Sequence, residues 1–285
     1  MEELPETVLP EQLSFLRELS TTMEVVYFRE LGSTNDYALK LLETRGVATT
    51  LVLAEHQKEG RGRGGKKWIA TEESLTFSLL YPLKKIPCYG NPPPVSLCVG
   101  VVLWETLCDL LPELSFKIKW PNDLYLGSRK LAGILVETQK EGIVVGIGLN
   151  IREVKEKDME RVASLEEGPE KIVTKYQVLE AFLKRWHDPG LADRLFGTCQ
   201  ERFELTEGQI ANDLKNIEDS KGEFAKHWKK GDYLAGKKVE VQNGNKRHIG
   251  VVKGISLAGA LLLEQGETTL PVYAGTVTTV YENQG

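Results

Sequence analysis

The sequence predicts an α+β fold: a mixed β-sheet flanked by helices, followed by a small all-β barrel at the C-terminus. Three observations carry this. Runs that alternate apolar with small polar residues, the period of a strand, recur between residues 24 and 150. Among them lie stretches with apolar residues at helical spacing. After Gly231 the chain breaks into short strand-like runs separated by glycine turns. The expected organisation is a short N-terminal extension over 1–23, a main domain over 24–231 and a C-terminal domain over 232–285.

Taken in order, Leu13, Leu16 and Leu19 after Pro10 give one helical pattern, too little for a helix-turn-helix domain. Val25 to Phe28 reads as a strand. Ser33-Thr34-Asn35-Asp36 offers cap residues ahead of Tyr37, Ala38, Leu41 and Leu42, and Gly46 stops that helix. Strands follow at Leu51 to Glu55 and Leu75 to Tyr81. Val95, Cys98, Val99, Val102, Leu103, Leu107 and Leu110 mark a buried helix that Pro112 ends. Phe116 to Trp120, Lys130 to Glu137 and Gly142 to Leu149 are strands, with a turn at Gly127-Ser128. Arg152 to Glu170 reads as loop. Tyr176, Leu179, Phe182, Leu183 and Trp186 share a helical face, Phe196 to Leu205 forms another, and Asn212 to Lys230 is charged and mostly exposed. The barrel strands are expected at Lys237 to Gln242, Ile249 to Ser256, Ala260 to Glu264, Thr268 to Val272 and Val277 to Tyr281.

The 285 residues suffice for a sizeable core, and 41% hydrophobic with 27% charged residues is ordinary for a soluble globular protein. A formal net charge of -5 argues against a general nucleic-acid binder. The start Met1-Glu2-Glu3 shows no secretion leader, and no apolar run is long enough to span a bilayer, so a cytoplasmic location is expected. Cys88, Cys98, Cys108 and Cys199 lack metal-ligand spacing and read as reduced residues; His56, His187, His227 and His248 do not cluster.

Gly60-Arg61-Gly62-Arg63-Gly64-Gly65-Lys66-Lys67-Trp68 packs four glycines, four cations and an indole into nine residues. Glycines free the backbone to present successive N–H groups, which suits a loop around a phosphate or carboxylate. A solvated basic turn is the plainer alternative. Gly60, Gly62 and Gly65 also fit a dinucleotide-binding template, but that template opens a helix. Here a strand follows, and no acidic residue stands about twenty positions on for a ribose. The loop joins two strands.

The family becomes recognisable at the second motif. Lys119-Trp120-Pro121-Asn122-Asp123-Leu124-Tyr125-Leu126, followed by Arg129-Lys130-Leu131-Ala132-Gly133-Ile134-Leu135, resembles the signature of biotin protein ligases. The glycine loop with its trailing Lys-Trp is that family's other hallmark. Ser33-Thr34-Asn35 and Gly146-Ile147-Gly148-Leu149-Asn150 match two further blocks in order, and weaker agreement runs through Ala163-Ser164-Leu165 to Tyr273-Ala274-Gly275-Thr276-Val277. The resemblance covers nearly all the chain from Glu24. It implies a ligase-like catalytic domain, an SH3-like barrel, and an ATP-dependent ligase that activates biotin as biotinyl-5′-AMP. Biotin then passes to a lysine of a biotin carboxyl carrier domain of acetyl-CoA carboxylase or a related carboxylase.

By the same resemblance Ser33, Thr34, Asn35 and Gln57 meet biotin's ureido group, whose donors and acceptors they can complement. Without it, Ser33 to Asn35 would read as a helix cap and Gln57 as a strand-end residue. Gly60, Arg61, Lys130, Gly133 and Gly146 complete the biotin site. Arg61, Gly62, Arg63, Trp68, Asn122, Lys130 and Asn150 form the nucleotide site, with Asn150 facing adenine. Lys130 and Arg63 are the expected catalytic cations, Lys130 bridging carboxylate and α-phosphate. Asp123 is expected to orient or deprotonate the acceptor lysine, with a purely structural role in the turn as the alternative. Mg²⁺ is expected with ATP, with no carboxylate cluster to identify its ligands.

Three departures from the family pattern stand out. Gly64 replaces a frequent arginine, so the loop lacks one cation and should be more mobile. Ile151-Arg152 follows Asn150 where a second asparagine is frequent. The N-terminus shows no DNA-binding domain, so no DNA binding is expected, and neither is a membrane partner; homodimerisation is left open. A lipoate or octanoate ligase or transferase of the same fold is the alternative enzyme, and a biotin-responsive regulator the alternative of another class. The former group lacks the Lys-Trp-Pro-Asn-Asp block.

Overall fold

A computed structural model describes residues 5–6, 8–19, 21–68, 73–86, 94–152, 162–165, 173–196, 223–256 and 258–281. Seven strands form the main sheet: β1 (Glu24–Leu31), β2 (Thr50–Gln57), β3 (Ser74–Pro82), β4 (Phe116–Lys119), β5 (Asp123–Leu126), β6 (Arg129–Gln139) and β7 (Gly142–Asn150). Their order is β1-β2-β3-β7-β6-β5-β4. β1 and β2 run parallel and every other neighbouring pair is antiparallel, so the sheet is mixed as predicted.

Helices cover both faces. After the short α1 (Leu16–Leu19), α2 (Thr34–Arg45) buries Ala38, Leu41 and Leu42 against Val52, Ala54, Leu80 and Val144. α3 (Val95–Leu110) and α4 (Lys175–Trp186) pack on the opposite face, over Leu53, Phe77, Leu79, Val145 and Ile147. α3 is buried from Leu97 to Leu103, which is why its sequence is apolar nearly all round. No helix among the described residues is long and apolar enough to cross a membrane. Cys98 and Cys108 are free thiols; Cys88 and Cys199 lie outside the described residues.

α4 opens on a capping box. Thr174 Oγ1 accepts from Gln177 N at 3.2 Å while Gln177 Oε1 accepts from Thr174 N at 2.9 Å. Thr174→Ala is therefore expected to cost about 1 kcal/mol, seen as a fall in Tm of roughly 2 °C by calorimetry.

Two expectations need correction, and a third falls almost wholly outside the described residues. No strand was expected between Trp120 and Lys130, yet β5 pairs there with both β4 and β6; four residues are too few for an alternation to register. Of Asn212 to Lys230, expected to be mostly exposed, 212–222 lie outside the described residues, and over the rest α6 (Glu223–Gly231) buries Phe224, Ala225 and Trp228, one i,i+4 pair of aromatics anchoring a turn otherwise rich in charge. A helix that was not expected, α5 (Leu191–Phe196), ends where the helix expected over Phe196 to Leu205 begins, and the rest of that stretch lies outside the described residues.

The C-terminal strands β8 (Lys238–Asn243), β9 (Lys246–Ile255), β10 (Leu261–Gln265), β11 (Thr268–Val272) and β12 (Thr276–Tyr281) form an antiparallel sheet in the order β11-β10-β9-β8-β12, consistent with an SH3-like barrel. Two bonds fasten it to the main sheet. Tyr233 N donates to Ile118 O at 2.8 Å, and the buried Trp120 indole donates to Gly259 O at 3.1 Å. Apolar packing runs on from Val239 and Val241 into the main core.

Candidate functional site

The site is built on an absence of side chains. Gly146 and Gly148 on β7 point to the α2 face of the sheet, and Gly133 on β6 lies directly across from Gly148. Each glycine carries another residue's side chain above it. A Cβ on Gly146 would stand 2.1 Å from Asn35 Oδ1, and one on Gly148 would stand 2.4 Å from Trp68 Cε2. On Gly133 it would meet Lys130 Nζ at 3.1 Å and Trp68 Cζ3 at 3.3 Å. The floor therefore has two ends, Asn35 over Gly146 and Lys130 with Trp68 over Gly133 and Gly148. They are two residues apart along β7, roughly 7 Å.

The first end is a network of uncharged polar side chains that runs on to the Glu137 carboxylate. Ser33 caps α2 by accepting from Asp36 N at 3.3 Å. Thr34 and Asn35 are buried, so their polar atoms need partners inside the protein. Gln57 Oε1 accepts from Thr34 N at 2.7 Å and from Thr34 Oγ1 at 3.0 Å. Ser78 Oγ lies 2.7 Å from Thr34 Oγ1 and donates to Asn35 Oδ1 at 2.6 Å. Asn35 Nδ2 then donates to Glu137 Oε2 at 2.8 Å. The amide orientation follows, since a carboxylate can only accept.

The glycine loop crosses the cleft as a small hairpin. Trp68 N donates to Gly60 O at 2.8 Å and Gly62 N to Lys66 O at 2.7 Å, around a single 3₁₀ turn at Arg63–Gly65. Gly64 and Gly65 have φ of 64° and 74°, in the left-handed region where an arginine at 64 would be strained. On one side Arg61 binds Glu137 bidentately, at 3.0 and 2.7 Å, and Asp36 at 2.6 Å. The bonds to Glu137 hold its guanidinium even more firmly charged than usual. On the other side Arg63 Nη1 donates to Asn122 Oδ1 at 3.2 Å. Asn122 is itself fixed, donating to Ile134 O at 2.8 Å and accepting from Ile134 N at 2.9 Å. Trp120-Pro121 just before it is a cis peptide.

At the second end Lys130 Nζ sits 2.6 Å from Asp123 Oδ1 and 5.7 Å from the centre of the Trp68 ring. Its backbone carbonyl accepts from Ala163 N at 2.8 Å, which draws residues 162–165 alongside. The Trp68 Nε1–H is buried with no hydrogen-bond partner among the described residues, a donor on the floor of the cleft.

One cleft is thus lined by Ser33, Thr34, Asn35, Gln57, Arg61, Gly62, Arg63, Trp68, Asn122, Lys130, Gly133 and Gly146. Gly60 sits behind it under the Trp68 backbone, where a Cβ would come within 2.7 Å of Trp68 O. Asp123 takes part through Lys130. Asn150 is buried and donates to Ala163 O at 3.3 Å; it is not brought to the cleft wall. Sequence reasoning missed Gly148, Ser78, Asp36 and Glu137. Gly148 had a signal in its Gly-x-Gly spacing on a strand, and Ser78 in being a small polar residue inside an apolar strand. No group of three or more His, Cys, Asp or Glu among the described residues could hold a metal.

Chemically, the cleft offers neutral donors and acceptors at one end, apolar Leu135 and the Trp68 indole along its length, and the cations Arg63 and Lys130 at the other. It suits a ligand with a polar uncharged head, an apolar middle and an anionic tail.

The profile of the Biotin/lipoate A/B protein ligase family matches residues 27–152. Over 255 residues the chain is 32% identical to the bifunctional ligase/repressor BirA of Salmonella typhimurium, covering 87% of this chain and 71% of that one. It is 27% identical to the biotin–[acetyl-CoA-carboxylase] ligase of Mycobacterium tuberculosis, covering 87% and 86%. Among solved structures, the biotin protein ligase from Aquifex aeolicus in complex with biotin and ATP is similar with a TM-score of 0.68 at 28% identity, over 90% of this chain and 97% of that one.

Proposed function

The chain belongs to the biotin/lipoate A/B protein ligase family and is a ligase of the biotin protein ligase type, and from there we propose how its cleft works. Biotin lies along the glycine floor, its ureido group against Ser33, Thr34, Asn35 and Gln57 and its carboxylate toward Lys130. A carboxylate oxygen attacks the α-phosphorus of ATP, the bond to pyrophosphate breaks, and biotinyl-5′-AMP remains. Lys130 and Arg63 offset the repulsion between carboxylate and phosphate, and Arg61 joins them. In the second step the amine of an acceptor lysine attacks the biotinyl carbonyl and AMP leaves. Asp123, beside Lys130, orients that amine and takes its proton. The acceptor is the carrier domain of acetyl-CoA carboxylase or a related carboxylase. Mg²⁺ would accompany ATP and offset the charge of its phosphates, and among the described residues no cluster of His, Cys, Asp or Glu identifies its ligands.

The observation that carries this reading is the pairing, on one floor, of an end presenting the uncharged polar side chains Ser33, Thr34, Asn35 and Gln57 with a cationic end roughly 7 Å away. Incubation with ATP, Mg²⁺ and either biotin or lipoate, scored as acyl-dependent AMP formation and transfer to a carrier domain, tests it. Biotin-dependent turnover is expected; turnover with lipoate alone overturns it.

A further inference from the structure

Arg61 stands at the wrong end of the cleft for a residue that meets an anionic tail. Its Nη2 and the Asn35 amide share one oxygen, Glu137 Oε2, at 2.7 and 2.8 Å. The guanidinium therefore lies within two hydrogen bonds of the residue at the neutral end. A second carboxylate, Asp36, holds the same Nη2 at 2.6 Å. Two carboxylates on one guanidinium leave a net negative triad where a ligand must enter, and they occupy its paired N–H fork.

We infer that Asp36 and Glu137 are positioning residues that hold Arg61 away from the reacting end until an anionic ligand draws it off. The inference rests on the functional reading above, which needs Arg61 beside a carboxylate or phosphate. The protein's own carboxylates imitate that ligand and compete with it. Because Arg61 is part of the glycine loop, the same pairs fasten the loop when the cleft is empty. Release is feasible because the triad is part-exposed: the side chains of Arg61, Asp36 and Glu137 are 38%, 52% and 26% accessible, so water screens the pairs. Glu137 also keeps Asn35 in place, and glutamine at 137 would still accept the Asn35 bond while giving up the charge.

Asp36→Asn and Glu137→Gln test this in the full chain. Calorimetry with biotin alone is expected to show Kd falling roughly twofold to fivefold in each, the upper part of the span that loss of part-exposed ion pairs covers. In pyrophosphate exchange the biotin KM should fall without a rise in kcat. Trypsin, which cuts after the loop's arginines and lysines, should cleave the ligand-free variants faster than the ligand-free wild type, and biotin with ATP should restore protection. Ordinary structural damage would weaken binding instead, so an unchanged or raised Kd in both variants overturns the inference. Should Glu137→Gln fail to fold, Asp36→Asn, on an exposed side chain, decides alone. Wild-type protein that binds no biotin would defeat the functional reading, and the trypsin comparison would still judge the restraint on the loop.

Discussion

Lys130→Ala should keep the fold and lose about a thousandfold in the rate of adenylate formation, since a cation near 4 Å from a phosphate charge interacts by roughly 4 kcal/mol at an effective dielectric of 20. Two changes act together. The cation at the anionic end of the cleft disappears, and Asp123, now without its partner at 2.6 Å, faces the incoming anions as a bare negative charge. The ion pair is part-exposed, at 33% and 22%, so its loss should cost the fold little. Pyrophosphate exchange and a thermal melt on the same sample separate the two effects. Near-normal exchange by the variant sinks the assignment of Lys130.

Gly146→Ala is expected to weaken biotin binding by about a hundredfold, equivalent to two tenfold steps of 1.4 kcal/mol. The added methyl would stand 2.1 Å from Asn35 Oδ1, and Asn35 cannot step aside without breaking its bonds to Ser78 and Glu137. Breaking them leaves buried polar groups unpaired, which costs about 1–3 kcal/mol each. Calorimetric titration with biotin checks the expectation. Binding within threefold of wild type would mean that Asn35 does not contribute to the ligand site.

The parts of the fold that were legible in the sequence are those whose periodicity is local. α3 announced itself because its surroundings are apolar on nearly every side, β3 because small polar and apolar residues alternate from Ser74 to Leu79, and β7 because its run of apolar residues and glycines suits a fully buried strand. β5 is too short to show a period, and α6 hides two aromatic anchors among charges. The site divides in the same way. Its glycine loop and the Arg-Lys block were visible as unusual runs of residue types. Ser78, Asp36 and Glu137 were not, because each is an ordinary residue whose role is created by chain topology. Ser78 meets Asn35 across 43 residues of sequence, Asn35 meets Glu137 across 102, and Arg61 meets Glu137 across 76. Asn150 shows the opposite case, a residue in a recognisable block that the structure places against residues 162–165.

The bare floor of the cleft also has a bearing on how this gene can drift. Any missense change at the codons for Gly133, Gly146 or Gly148 adds a Cβ, or a proline ring, beneath Lys130, Asn35 or Trp68, whichever nucleotide is altered. Only synonymous changes are silent there. The exposed Lys66 and Lys67 on the loop, by contrast, can vary through many substitutions at small cost to the fold. At Gly146 and Gly148, where an added Cβ would stand 2.1 and 2.4 Å from Asn35 and Trp68, what a lineage must inherit for this floor to work is an empty space.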